Sequence, residues 1–280
     1  MKTVLVVMTC HNRAKISETS VLSASVAAKI ANVSLFWSVT DDASTDNTSE
    51  ILNNNCENLN LINGDGNLYW SKGMRAAWES GSRFFNPCDF VLWLNDDVRL
   101  LDYGLNEMLI SMELGNASIV SGACAQDSTL EQLSYGGFVL KAKRPTSLVK
   151  VRPNGMIREI DTFNGNVVLM KWEVAKEISI QSFTHMFGDI DFGLRARRGL
   201  FKIVSSRNYV AICYRDSVNF RWLKPGMKRR DRIREFFGKK GMVYHDLLIY
   251  NVTHCGHVAG FFHANLSYLK SLARVLFIRK

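Results

Sequence analysis

A buried apolar run, Phe90 to Leu94 (FVLWL), leads straight into Asn95-Asp96-Asp97. Carboxylates at the end of a buried strand are costly unless a cation meets them. A divalent metal bridging two phosphates would do so, because Mg²⁺ and Mn²⁺ take oxygen ligands and commonly share them with substrate phosphates. A turn that spends the same side chains on backbone hydrogen bonds is the plainer alternative. A second acidic cluster, Asp41-Asp42-Ala43-Ser44-Thr45-Asp46, also follows an apolar run. It reads either as turn and helix-cap residues or as a site where Asp42 accepts hydrogen bonds from a base or ribose.

Two further segments could act on the same ligand. Gly64-Asp65-Gly66-Asn67-Leu68-Tyr69-Trp70-Ser71-Lys72-Gly73-Met74 has three glycines that let backbone approach a ligand closely, and it opens a helix whose N-terminus favours anions. Lys72 would add charge there. The alternative is a tight connection with two core aromatics. Gly188-Asp189-Ile190-Asp191-Phe192-Gly193-Leu194-Arg195 places two carboxylates at a helix start. One could take a proton from an attacking hydroxyl as a bond forms; an N-cap and a salt bridge to Arg195 would use them equally well. His254-Cys255-Gly256-His257 and His263 invite a zinc reading, but finger spacing is missing, which disfavours a structural metal.

The elements that must position these residues alternate. Thr3–Met8 is a β-branched run of the kind buried on both faces of a parallel sheet. A helix over Ser17–Ile30 carries Val21, Leu22, Val26 and Ile30 on one side. Further strands are expected at Val33–Thr40, Leu59–Ile62, Phe90–Leu94, Ser118–Cys124, Asn164–Met170 and Phe201–Val204. Helices are expected at Thr48–Leu52, Ser71–Phe84 and Asp189–Arg198, and Asn154-Gly155 within Val149–Ile160 signals a hairpin. The βαβαβ order argues for helices on both faces of one sheet. Ligands then bind beyond the carboxyl ends of the strands, so Asp41/Asp42 and Asp96/Asp97 share a rim.

The chain of 280 residues is 47% hydrophobic and 22% charged, ordinary for a globular protein without low-complexity tracts. Its 6 cysteines are scattered, which suits free thiols in a reducing compartment. The N-terminus reads as a first strand rather than a signal peptide, and no run of about 20 uncharged apolar residues predicts a membrane span. The net charge of +9 is concentrated late, in Arg195, Arg197, Arg198, Lys228, Arg229, Arg230, Arg232, Arg234, Lys239, Lys240, Lys270, Arg274, Arg279 and Lys280. Such clusters suit phosphorylated substrates, anionic lipid or nucleic acid. No helix-turn-helix, zinc-finger or RNP-type signature supports the last, and no nucleic-acid partner is expected. From about Asp231 the pattern is helical. Over Gly260–Ile278, Phe262, Leu266, Leu269, Leu272 and Leu276 recur near helical spacing beside Lys270 and Arg274, as in a core helix or one lying on a membrane surface.

Taken in order, TCHNR, DDASTDNT, GDGNLYWSKGM, LNDDV and GDIDFGLRARRG resemble the GT-A-fold glycosyltransferases of family 2. The resemblance runs from residue 1 to about 215 and is nearest the branch of rhamnosyl- and galactofuranosyltransferases of bacterial surface polysaccharides. It implies a three-layer α/β/α fold with a mainly parallel sheet. Residues 1–225 would form the transferase domain, 1–100 the nucleotide-sugar half and 101–225 the acceptor and catalytic half. Residues 226–280 would be a basic helical region that associates with a membrane or a second copy.

The implied roles follow residue by residue. Thr9, Asn12 and Arg13 lie at the nucleotide pocket and Asp42 meets base or ribose. Asn67, Lys72 and Gly73 lie along the sugar-nucleotide. Asp97 is the metal-binding member of a DXD-like motif for Mn²⁺ or Mg²⁺, with Asp96 beside it. Asp189 is the catalytic base, with Asp191 supporting or alternate. Asn164, Gly165 and Asn166 lie near donor sugar and acceptor. The implied activity is inverting transfer from a UDP- or dTDP-sugar to a glycan or lipid-linked acceptor, at the cytoplasmic face of a membrane. The sequence departs from the pattern at Asn95, where many members carry the first Asp, and at Gly188, where many carry an acid. It also shows no clear His ligand after the Asp189 helix, where only Cys213 and Asp216 stand near. A sugar nucleotidyltransferase and a degenerate, non-catalytic binder are the rival readings.

Overall fold

The computed structural model describes residues 1–141, 145–181, 183–184, 186–215, 220–238 and 240–277. Asp216, Lys239, Arg279, Lys280 and the expected helix end at Ile278 lie outside them.

The first half alternates as its sequence dictates: β1 (Lys2–Cys10), α1 (Ala14–Ala31), β2 (Val33–Asp41), α2 (Thr48–Asn55), β3 (Leu59–Asn63), α3 (Tyr69–Phe84) and β4 (Phe90–Leu94). The second half adds β5 (Arg99–Leu100), α4 (Gly104–Leu114), β6 (Ile119–Ala125), β7 (Leu133–Tyr135), β8 (Gly137–Leu140), β9 (Leu148–Lys150), β10 (Arg158–Glu159), β11 (Thr162–Phe163), β12 (Val167–Lys171), α5 (Trp172–Glu177), α6 (Gly188–Arg198) and β13 (Ile203–Ile212). α7 (Arg229–Phe237), α8 (Tyr244–Cys255) and α9 (His257–Phe277) follow.

One 10-stranded sheet runs β10-β13-β6-β12-β4-β1-β2-β3, with β5 on β13 and β7 on β6. β1 pairs in parallel with β2 and β4, β2 with β3, and β6 with β13; β12 runs antiparallel between β4 and β6. The carboxyl ends of β1, β2, β4, β6 and β13 therefore share one rim with the amino end of β12. Both faces are covered. Val4, Val6, Met8 and Cys10 of β1 enter the core with α1 and α4, while Leu5 and Val7 enter the core with α3, α5 and α6. The result is three layers, as expected.

Two local expectations are corrected, and the buried face of α9 is located. The stripe Leu22, Val26, Ile30 on α1 is exposed; the buried face is Ser17, Ser20, Val21, Ala24, Ala27 and Ala28. Small side chains let α1 lie close on the sheet, so packing distance, not side-chain hydrophobicity, chose the face. Asn154-Gly155 does form a turn, with Gly155 at φ +80, but not a hairpin. β9 pairs with β8 and β10 with β13, so the flanking segments join different sheets. On α9 the buried residues are Gly260, Ala264 and Val275, and Phe262, Leu266 and Leu269 are exposed.

The C-terminal helices have their own small core of Trp222, Phe236, Met242, Leu247, Ala264 and Val275. A second cluster joins it to the sheet: Tyr250 of α8 packs with Phe183 and Leu194, and stacks on Phe187 at 4.6 Å. No helix among the described residues is long and apolar enough to cross a membrane.

Candidate functional site

β4 ends at Leu94 and the chain turns through Asn95, Asp96 and Asp97. The turn is pinned to the next strand, because Asn95 N–H donates to the Asn166 carbonyl at 2.9 Å. Asp96 is buried and Asp97 is partly exposed. One Arg13 nitrogen, Nη1, meets both, at 2.8 Å from Asp96 and 3.1 Å from Asp97. Burial pushes the Asp96 carboxyl up to about 6; Arg13 pulls it down and Asp97 pushes it up again. The negative charge here is thus only partly compensated.

A hard divalent cation fits this donor set. Asp96 and Asp97 offer oxygen ligands, and no group of three or more His, Cys, Asp or Glu that could hold a metal occurs among the described residues. The remaining ligands would come from substrate phosphates and water, as is usual for Mg²⁺. Cys213, just past β13, brings its thiol to 3.7 Å from Asp97 Oδ1. Burial and Asp97 hold that thiol well above its ordinary range, so it is a neutral neighbour.

Trp70 is the hub that sequence reasoning missed. Its indole Nε1 donates to Asn95 Oδ1 at 2.7 Å. A Cβ added at Gly165 would stand 2.5 Å from Trp70 Cζ2, and one at Gly188 would stand 3.2 Å from Cζ3 and 2.2 Å from Ser71 Oγ. Asn95 thus serves as a neutral acceptor for the indole, and Gly188 is small because α3 presses on it. The signal available in the sequence was a Trp inside a glycine-rich, helix-opening segment.

Asp189 lies at the start of α6 against Gly165. Its Oδ2 accepts from Gly165 N–H at 2.9 Å and its Oδ1 from Ile190 N–H at 2.8 Å. Burial raises its carboxyl above the ordinary range, and those two amides with Asn164 Nδ2 pull the other way. Asn164 Oδ1 is buried and has no hydrogen-bond partner among the described residues. Asn166 lies beneath, its Nδ2 3.6 Å from Cys213 Sγ.

Asp191 faces the other way and is fully engaged. Arg195 Nε donates to its Oδ2 at 2.8 Å, and His254 Nε2 lies 2.9 Å from its Oδ1. Arg198 Nη2 lies 2.7 Å from His254 Nδ1. A guanidinium only donates, so Nδ1 accepts and Nε2–H donates to Asp191. Asp191 thus ties α6 to α8. Both ring nitrogens of His254 are used, which leaves none for zinc.

The rim beside β1, β2 and β3 is built by loops. Asp42 Oδ1 accepts from Gly66 N–H at 2.8 Å, and Oδ2 from Leu68 and Tyr69 N–H at 2.9 and 3.1 Å. Its carboxylate thus shapes the glycine loop. Asn12 Oδ1 accepts from Thr45 N–H at 2.7 Å, joining the first two loops. Asn67, two residues before α3, and Lys72, in its first turn, are exposed. Gly73 is buried instead: a Cβ there would stand 2.2 Å from Thr9 Oγ1. Thr9 and Gly73 are therefore a helix–strand contact, which is why that glycine is needed.

Non-glycine residues stand in left-handed backbone in three rim loops, at Asn12 (φ 51), Ala43 (φ 58) and Phe187 (φ 74), and at Tyr69 (φ 52), the first residue of α3. Each costs on the order of 1–2 kcal/mol, and such strain clusters at functional sites. On the far side of the rim, Arg215 lies over Tyr135 at 5.2 Å, and Lys150 Nζ donates to the Ser134 carbonyl at 2.5 Å. Burial, then Arg215, brings Lys150 down to about 8. Neither cation was singled out in the sequence.

No protein-family model and no curated protein matches this chain. Solved structures do. The chain aligns with Staphylococcus aureus TarS residues 1–349 at TM-score 0.59 and 13% identity, over 100% of this chain and 76% of that one. The same protein in complex with UDP-GlcNAc aligns at 0.58 and 13%, over 99% and 70%. The mannosyltransferase PcManGT from Pyrobaculum calidifontis, in complex with GDP-Man and Mn²⁺, aligns at 0.55 and 12%, over 98% and 72%. At these identities the likeness establishes the fold.

Proposed function

We propose that the chain is a glycosyltransferase that moves a sugar from a nucleotide-diphospho-sugar to a hydroxyl acceptor. The observation that carries this reading is the hub at Trp70. It holds the acidic turn at Asn95 through a hydrogen bond, and packs on Gly165, whose amide holds Asp189. A carboxylate pair suited to a cation and a lone, partly buried carboxylate with raised proton affinity are thereby fixed relative to each other. Neighbours of the same fold in complex with UDP-GlcNAc and GDP-Man support the donor class. UDP- or dTDP-sugars are the donors, and a glycan or lipid-linked glycan is the acceptor, in surface polysaccharide assembly.

The reaction is one displacement with inversion. The acceptor oxygen attacks the anomeric carbon, the bond from that carbon to the diphosphate oxygen breaks, and the acceptor proton passes to Asp189. A base near neutrality suits that step, and burial moves Asp189 in that direction. Asn164 Oδ1 accepts a sugar hydroxyl, and Gly165 lets the ligand approach the backbone. Arg13, Asn12 and the Asp42-shaped loop hold the nucleotide, with Asn67 and Lys72 along the diphosphate-sugar. Asp97, with Asp96, would hold Mn²⁺ or Mg²⁺, which when bound neutralises charge on the leaving diphosphate.

The experiment is donor turnover, read as nucleoside diphosphate release with UDP-, dTDP- and GDP-sugars. Asp189→Asn should lower turnover by about a hundredfold or more, the usual contribution of general-base catalysis, while donor binding persists. Turnover unchanged in a folded Asp189→Asn variant would remove Asp189 from the role. Donor binding without turnover in the wild type, with any acceptor class, would favour a binding protein.

A further inference from the structure

α9 settles as a helix with three faces. Gly260, Ala264 and Val275 are buried, and the contact with α8 is close because Gly260 lacks a side chain: a Cβ there would stand 2.5 Å from the Asn251 carbonyl oxygen. At 3.6 residues per turn, Val258, Leu269, Phe262, Leu266 and Phe277 form one apolar sector on the other side, with Phe261 at its margin beyond Asn265. That sector is open: Phe261 is 50% exposed, Leu266 52%, Leu269 60% and Phe262 68%. Lys270, His263 and Arg274 follow along one edge of it, all exposed. α9 contains no Asp or Glu at all.

The same charge continues next door. α7 packs on α9, and Lys228, Arg229, Arg230 and Arg234 on and before α7 are exposed. α7 also carries Asp231 and Glu235, and Asp231 pairs with Arg234 at 3.3 Å, so its cations outnumber its acids without excluding them. An open apolar stripe over a 21-residue helix, bordered on one edge by Lys270, His263 and Arg274, is the pattern of a helix lying in a bilayer interface.

We propose that α9, with α7 beside it, docks the protein on an anionic lipid surface. Phe261, Phe262, Leu266 and Leu269 enter the boundary between headgroups and acyl chains. Lys270, Arg274 and the α7 cations meet the anionic headgroups.

The test is flotation of the full chain with phosphatidylcholine vesicles, with and without phosphatidylglycerol. No nucleotide is present, so vesicle binding and transferase activity are separate results. The expected result is binding to the anionic vesicles that weakens with salt. Lys270→Glu with Arg274→Glu should weaken it roughly tenfold or more. Phe262→Ser with Leu266→Ser should abolish it, with an unchanged thermal midpoint because both side chains are exposed. No binding by the folded wild type would overturn the proposal, as would equal binding to neutral vesicles. A wild-type dimer that Phe262→Ser with Leu266→Ser dissociates would also overturn it, assigning the face to a second copy of this chain.

Discussion

Trp70 and Asp189 make opposite demands on a substitution. Trp70→Phe keeps most of the ring but removes the N–H that reaches Asn95 Oδ1. Leaving that acceptor unpaired costs about 1–3 kcal/mol, so we expect a lower unfolding midpoint in denaturant with the slope unchanged; an unchanged midpoint would deny Trp70 its hub role. Gly188→Ala puts a methyl 2.2 Å from Ser71 Oγ. Overpacking of that kind costs about 1–3 kcal/mol, and Ser71→Ala in the same chain should recover part of it, a coupling that a double-mutant cycle reads directly. Asp189 carries a pH signature. Its carboxyl is raised in the fold by burial, so protonation stabilises the folded state and that contribution is lost as pH rises through the raised value. The stability of Asp189→Asn relative to wild type should therefore improve as pH rises from acid to neutral. Turnover should fall on the acid side at a pH above the ordinary carboxylate range of about 3.9. An acid limb at or below that range would mean that another group takes the proton.

α6 shows how one helix serves two purposes. Its first turn offers Asp189 to the rim, and one turn-face away Asp191 is locked between Arg195 and His254, which Arg198 also holds. His254 is neutral here and Arg195 still holds Asp191, so removing the imidazole costs a hydrogen bond to a buried charged group, about 1.5–3 kcal/mol. We expect His254→Ala to lower the unfolding midpoint sharply, and to loosen α8 from α6 by hydrogen exchange before the sheet opens. Uniform exchange across both would contradict that order. α1 gives the opposite expectation: Leu22 is exposed, so Leu22→Lys should change stability by within about 0.5 kcal/mol. The strand order of the first half was readable because buried parallel strands have no polar face to confuse the pattern. α1's face was not, because alanines and serines chosen for close approach carry little hydrophobic signal. Asp189 and Asp191 were equivalent in sequence, since spacing of two residues says nothing about which carboxylate a distant histidine will claim. That histidine, His254, lies 63 residues further on.

At the scale of the whole molecule, a parallel sheet brings five separated segments to one rim, and an antiparallel β12 adds Asn164 to Asn166 to it. The rim itself followed from the sequence order of strands and acids. The interlocking within it did not, because Trp70, Gly165 and Gly188 meet only when three elements pack. The C-terminal helices close on the sheet through Tyr250 and Phe187 and leave α9's outer face open. The central claim is that this rim binds a nucleoside diphosphate and its sugar with help from a divalent cation. The most direct test is the thermal midpoint of the full chain against UDP, dTDP, GDP and their sugars, with Mn²⁺, Mg²⁺ or chelator. A ligand at about 100 times its dissociation constant adds roughly 2.7 kcal/mol. A stabilisation of that order is expected with one uridine or thymidine diphosphate series, dependent on the cation and lost in Asp97→Ala. A folded protein whose midpoint moves with none of these ligands would contradict the claim.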